Sequence, residues 1–292
     1  MANVLQINYW TVGGFEGNKD PEKALREAKA IGYDGLELTF GAGHLAPGVA
    51  KARCLRIRNV AAALGMRIET MASGNFWGQS FGSPSAAVRA KAVAFTKEYL
   101  QVANWLGAKT VLVIPGAVAV PWDPSKPVVP YADVWKNATA CIRKLLPVAA
   151  RLKVAIGLEN VWNWFLADPV AMRTFIDQFR SPWVGSYFDI ANVLINGYPE
   201  HWISILGRRI KAVHFKNFAR EDCGGKLHGF GDDLLKGAAD WKAVMSGLRK
   251  IDYKGPITAE MIPFSRLPKL VLPDMKLARD TARKLRRIAR GR

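Results

Sequence analysis

Four side chains with acid–base or metal-binding capacity, Glu159, Asp189, His214 and Glu260, each sit at or near the end of a short apolar run. The clearest run is Val154-Ala155-Ile156-Gly157-Leu158-Glu159-Asn160, which stops abruptly on a carboxylate and an amide. A short, continuously apolar run between two helical patterns reads as a buried parallel strand. In α/β folds the C-terminal strand ends are where ligands are handled. Adjacent strands lie about 4.8 Å apart, so four successive strand ends can converge on one ion. Three carboxylates and one imidazole suit a divalent cation that prefers oxygen. Mn²⁺ is the expected ion. Mg²⁺ and Co²⁺ fit the same donors, and Zn²⁺ fits less well because no sulfur takes part.

Each of these residues also has a purely structural use. Asp189 would cap the segment that follows it, since Asp is a favoured N-cap. His214 would serve as a satisfied core histidine, Glu159 would pair with an arginine, and Glu260 would be structural. Glu37, in Gly35-Leu36-Glu37-Leu38-Thr39, also follows an apolar residue in a strand and is assigned no role. The joint pattern argues for a site, because independent structural uses do not require four successive strand ends.

The elements that must position these residues alternate along the whole chain. Strands are expected over 4–8, 35–39, 66–72, 109–114, 153–160, 183–188, 209–215 and 256–260. Helices are expected between them, opened by Asp20-Pro21 and Asp168-Pro169 and closed by Gly32, Gly65 and Gly107. Eight such units predict a single (β/α)8 barrel over residues 1–292, ending in a basic helical segment at about 267–290. No Gly-x-Gly-x-x-Gly turn follows the first strand, which removes the fingerprint of a dinucleotide fold. The longest irregular segment, 117–130, holds Trp122 and reads as a functional loop.

The totals set further bounds. The chain has 292 residues, half of them hydrophobic, which supports a large core. No apolar run reaches the roughly 18 residues of a membrane span, and the first residues lack a signal-peptide pattern. Three widely spaced cysteines, Cys54, Cys141 and Cys223, suggest reduced thiols and a cytoplasmic protein. The formal charge is +18, and residues 269–292 hold nine Lys or Arg against two acids. That charge falls on expected outer helices, where it reads as a solvated face, so neither a nucleic-acid nor a membrane partner is expected.

Three segments resemble the xylose-isomerase-like sugar isomerase/epimerase superfamily. They are Gly157-Leu158-Glu159-Asn160, the stretch Ser181-Pro182-Trp183-Val184-Gly185-Ser186-Tyr187-Phe188-Asp189-Ile190-Ala191-Asn192-Val193, and Val213-His214-Phe215-Lys216-Asn217. The resemblance runs from the first strand to the last and implies that Glu159, Asp189, His214 and Glu260 bind one divalent metal. The endonuclease IV branch needs more histidines, and Ile114-Pro115-Gly116 stands where that branch has His-Pro-Gly. The D-tagatose/D-allulose 3-epimerase branch carries an Arg six residues after the metal His, which Arg220 matches. It has a substrate-binding His three residues after the metal Asp, where this chain has Asn192. The L-ribulose/L-xylulose-5-phosphate 3-epimerase branch has Asn there.

The resemblance implies proton abstraction beside a ketone, with a sugar or sugar phosphate as partner and a homodimer or homotetramer as assembly. Glu159 and Glu260 would be the catalytic bases, one removing the C3 proton and the other returning it from the far side. Asp189 and His214 would act mainly as ligands. Arg220 and Asn192 would bind substrate, while Trp10, Trp77, Trp122 and Phe165 would wall the pocket. His228 and Lys216 are weaker polar candidates. The alternative on the same metal is an eliminase or dehydratase acting on inososes or 3-keto-glycosides.

Overall fold

The computed structural model describes residues 3–121, 123–220, 230–261 and 274–291. Eight parallel strands close into a barrel in sequential order. They are β1 Leu5–Asn8, β2 Gly35–Thr39, β3 Thr70–Ala72, β4 Thr110–Val113, β5 Ala155–Glu159, β6 Val184–Asp189, β7 Ile210–Phe215 and β8 Ile257–Ala259. The helices are α1 Tyr9–Gly13, α2 Pro21–Ala30, α3 Lys51–Ala63, α4 Ala86–Leu106, α5 Tyr131–Leu152, α6 Pro169–Asp177, α7 Ile190–Leu194, α8 Pro199–Leu206, α9 Trp241–Lys250 and α10 Met275–Ala289. The expected (β/α)8 barrel is therefore present.

Local chemistry accounts for the outer elements. Asp20 and Asp168 each accept two backbone N–H groups at the start of α2 and α6, with Pro at the next position in both. On α10, Ala278, Ala282, Leu285 and Ile288 are buried at helical spacing. Arg279, Arg283 and Arg287 of the same helix, and Arg290 just after it, are exposed, so its positive charge lies on the outward face. A further basic cluster on α3, Lys51, Arg53, Arg56 and Arg58, is partly neutralised, since Arg53 pairs with Asp20 and Glu22, and Arg56 also reaches Glu22. No helix among the described residues is long and apolar enough to cross a membrane.

Several boundaries differ from the sequence expectation, most of all at β3, which begins at Thr70 and not at residue 66. A short helix, α1, follows β1 at once, because the Asn8 side chain accepts the Trp10 N–H at 2.8 Å. Strand β8 ends at Ala259, although the ladder still reaches Glu260, whose N–H donates to the Phe215 carbonyl at 3.1 Å. The expected C-terminal helix is seen as α10, while 262–273 lie outside the described residues.

The barrel interior is polar as well as apolar. Residues level across a parallel pair face the same side of the sheet. Gln6 is level with Thr258, Asn8 with Glu37, and Asp189 with His214. All six are buried. A buried polar group is costly unless hydrogen-bonded, and each of these side chains has at least one partner. The Gln6 amide donates to Thr70 at 2.9 Å and to Thr258 at 3.0 Å.

The β6–β7 pairing is irregular at one place, and the site depends on it. Ser186 pairs with Ile210, but Tyr187 pairs with Ala212, so β7 gains one residue there. Without that bulge Asp189 would lie level with Val213. With it, Asp189 meets His214. Gly185 sits just before the irregularity, where a Cβ would collide with the Arg209 carbonyl oxygen and the Lys211 side chain. We expect Gly185→Ala to lower stability by about 1–3 kcal/mol through overpacking, read as a reduced urea midpoint. An unchanged midpoint would show that β6 and β7 are not held this closely.

Candidate metal centre

β5, β6, β7 and the residue after β8 bring Glu159, Asp189, His214 and Glu260 together. One ligand atom from each lies within 4.8 Å of all the others, and all four residues are buried. His214 Nδ1 stands 3.8 Å from Glu159 Oε1, 3.8 Å from Asp189 Oδ2 and 3.7 Å from Glu260 Oε2. Ligand atoms about 2.1 Å from one ion are about 3.0–3.4 Å apart, so a small inward adjustment closes this cluster on a cation.

Two further observations test the fit. His214 Nδ1 is buried without a hydrogen-bond partner among the described residues, and Asp189 Oδ2 is buried with only the Lys216 ammonium, 3.0 Å away, beside it. Each is the atom aimed at the cluster, while the other end of its side chain is occupied. Asp189 Oδ1 accepts the Asn192 N–H at 2.8 Å and caps α7. Asp189 is therefore both the expected cap and part of the cluster. Lys216 Nζ lies 2.6 Å from Glu260 Oε2 and 3.0 Å from Asp189 Oδ2. Three carboxylates gathered around one ammonium leave an excess of acidic groups, which a divalent cation would offset. The donor set fits such an ion.

Glu37 orients this arrangement, although the sequence reading assigned it no role. It is fully buried inside the barrel. His214 Nε2 lies 2.7 Å from Glu37 Oε1, and Asn8 donates to the same oxygen at 2.6 Å. Thr70 donates to Oε2 at 2.6 Å, and the Tyr187 hydroxyl donates there as well. With Nε2–H committed to Glu37, Nδ1 turns toward the carboxylates. The signal in the sequence was a charge between two leucines of a buried strand.

The electrostatics follow from burial. Burial pushes Glu159 up to about 7, aided by Glu260 and Asp189, against the pull of His214 and Lys216. Burial likewise raises Asp189 above its usual range, despite Lys216. For Glu37 burial works against the charge, but His214, Thr70 and Tyr187 outweigh it and hold the group below the ordinary range. Burial also opposes charge on His214, yet Glu37 and Glu260 raise it well above the usual imidazole value.

Above the cluster lies a cavity of about 250 Å³, with Glu159, Glu260 and Lys216 at its base and Trp10, Phe15, Trp77 and Trp162 among its walls. Asn192 lines it too, while its side-chain oxygen accepts the Trp162 indole N–H at 3.0 Å. Trp10, Trp77 and Asn192 all line this cavity. Trp122 and His228 lie outside the described residues.

Phe165 and Arg220 are placed elsewhere. Phe165 is buried against Tyr131, Trp135 and Phe175, away from the cavity. The Asn163 side chain accepts the Phe165 N–H at 3.1 Å, and positive φ angles at Trp164 and Leu166 reverse the chain there. Phe165 turns inward as a result, and Trp164 turns out. Arg220 donates to the Leu194 carbonyl at 2.8 Å and to the Gly197 carbonyl, with its guanidinium 4.5 Å from the Tyr198 ring centroid. It braces the loop after α7 and does not line the metal cavity. Lys216 was a weaker candidate and stands at the centre.

A second cavity, of about 390 Å³, adjoins the first and shares Val161, Trp162 and Asn192 with it.

The family model for the xylose isomerase-like TIM barrel matches residues 25–288. No curated protein matches the chain by sequence. Among solved structures, L-ribulose 3-epimerase superposes with a TM-score of 0.80 at 19% identity, over 99% of this chain and 94% of that one. D-psicose 3-epimerase from Clostridium cellulolyticum H10 gives 0.78 at 19% identity, over 99% and 98%. The 3-keto-D-glucoside 4-epimerase of E. coli gives 0.75 at 15% identity, over 99% and 100%. At these identities the likeness is one of fold.

We expect Glu37→Gln to remain folded by circular dichroism and to bind Mn²⁺ roughly 10–100-fold more weakly, by titration calorimetry. Wild-type affinity in the folded variant would remove Glu37 from any positioning role.

Proposed function

Because the chain belongs to the xylose isomerase-like TIM barrel family, we propose that it is a metal-dependent 3-epimerase of ketoses or ketose phosphates, with Mn²⁺ as the working ion. The observation that carries this reading is the pair Glu159 and Glu260. They come from β5 and from just after β8, three strands apart around the barrel, and both reach the base of one cavity beside His214 and Asp189.

A divalent cation held by Glu159, Asp189, His214 and Glu260 supplies Lewis-acid polarisation of an adjacent carbonyl. Glu159 and Glu260 then flank the carbon between them from opposite sides. One carboxylate takes the C3 proton, and the other returns a proton to the opposite face, which inverts that centre. Lys216 Nζ stands 2.6 Å from Glu260 Oε2, and its ammonium is a donor to an oxygen of the bound sugar. The indoles of Trp10, Trp77 and Trp162 exclude water from the exchanging proton. Support from outside the chain is the fold shared with the 3-epimerases.

A second reading is elimination on an inosose or a 3-keto-glycoside with the same two bases. What favours it is the adjoining cavity, which gives a departing group somewhere to go.

The test is a panel of ketoses and ketose 5-phosphates assayed with Mn²⁺, before and after EDTA. The expected result is inversion at C3 with solvent deuterium incorporated there, lost on chelation and restored by Mn²⁺. Release of water or aglycone supports the second reading, and turnover that survives EDTA overturns both. Glu159→Gln should keep its fold and lose about 10²–10⁴ in kcat. Wild-type turnover in that variant would show that Glu159 is not a base.

A further inference from the structure

We infer that the natural substrate carries a neutral ring joined to its keto sugar, and that this ring occupies the second cavity, between Trp162, Trp164 and Trp202. The inference rests on the reading that keto-sugar chemistry takes place above Glu159 and Glu260.

The two cavities are neighbours in the loops above the barrel. Val161, Trp162 and Asn192 line both. Trp162 stands at their junction, stacked on Trp77 at 6.0 Å on the side of the metal cavity. Its indole N–H is held by Asn192, whose own amide donates to the Asn160 carbonyl at 2.9 Å. Asn160 in turn pairs in both directions with the backbone of Asp189, at 2.9 Å each way. The divider between the cavities is thus tied by hydrogen bonds to a residue of the metal cluster. A molecule seated on the cluster and extended past Trp162 enters the second cavity directly.

The size and chemistry of that cavity select the extension. At about 390 Å³ it is larger than the space above the cluster, so a single keto sugar leaves it unfilled. Its lining offers three indoles and the amide of Asn196, beside those of Asn160 and Asn192 that already bond Asp189, Trp162 and Asn160, with no ionisable side chain among the described residues. Indole faces pack against the C–H faces of sugar rings or against aromatic rings, and amides serve hydroxyls.

Among the described residues, a phosphate finds no cationic side chain lining this cavity. Lys216 is already placed between two carboxylates. Arg220 is bonded to the Leu194 and Gly197 carbonyls, where it braces the loop that carries Ile195 and Asn196.

Trp164 adds an independent sign. It is 56% exposed at the rim, with φ +61. A bulky side chain in the left-handed region is unfavourable, and a largely exposed indole leaves apolar surface in water. A ring stacked on Trp164 covers that surface.

The test uses the full chain with Mn²⁺ and two kinds of probe. Methyl and phenyl β-D-glucosides, titrated by saturation-transfer NMR, report ring binding and separate a sugar ring from an aromatic aglycone. D-fructose, D-fructose 6-phosphate, and fructose carrying a glycosyl group at O4 or O6, compared by kcat/KM, report its use in turnover. We expect saturable binding of at least one glucoside, weakened at least tenfold by Trp164→Ala. We also expect kcat/KM at least tenfold higher for a glycosylated ketose than for D-fructose, with that ratio reduced at least fivefold in Trp164→Ala.

Absence of ring binding, binding unchanged in Trp164→Ala, or a preference for the phosphorylated ketose overturns the inference. Epimerisation of free ketoses without ring binding sinks the second cavity and leaves the epimerase reading standing. Ring binding that depends on Trp164, with no ketose turned over, supports the ring site and sinks the epimerase reading.

Discussion

The structure turns on one buried carboxylate that takes no part in the cluster. Glu37 lies inside the barrel without solvent, so its charge must be met entirely by protein donors. Asn8, Thr70, Tyr187 and His214 meet it, from β1, β3, β6 and β7. Four strands are thereby tied to one point beneath the site. The imidazole bonded to Glu37 has only its other nitrogen left, and that nitrogen faces Glu159, Asp189 and Glu260. Satisfying a charge in the core and presenting a ligand atom at the strand ends are one geometric solution.

The same economy governs Asp189. One oxygen caps α7 through the Asn192 N–H, and the other faces His214 and Lys216. The structural use and the chemical use of this residue do not compete, because a carboxylate has two acceptors. The bulge between β6 and β7 brings Asp189 level with His214. The centre is thus built from backbone register and rigid strand ends, while the walls above it come from loops.

The charge distribution divides the molecule. The outer helices carry the basic surplus, with α10 presenting its arginines to solvent. The barrel mouth holds three carboxylates, one histidine and one lysine, buried together. Burial raises Glu159 and Asp189 because each carboxylate sits in a dry site beside others. The net charge of +18 therefore describes the surface and gives no guide to the site's chemistry.

Periodicity and composition alone determined the eight βα units, the closed-barrel class and the placement of Glu159, Asp189, His214 and Glu260 at successive strand ends. These were legible because each strand is a short apolar run, and a charge at its end breaks the pattern. Which way a loop side chain points was not legible. Phe165 and Trp164 are adjacent aromatics, and positive φ angles flanking Phe165 decided that it joins the core while Trp164 rims a cavity. Arg220 matched a family position, yet its guanidinium is bonded to the carbonyls of the loop it braces. Glu37 had no partner visible in sequence, because Thr70, Tyr187 and His214 lie 33, 150 and 177 residues away. Strand patterning is local and survives in one dimension. The partners of a buried charge and the direction of a loop are set by long-range closure of the barrel, which only the tertiary structure supplies.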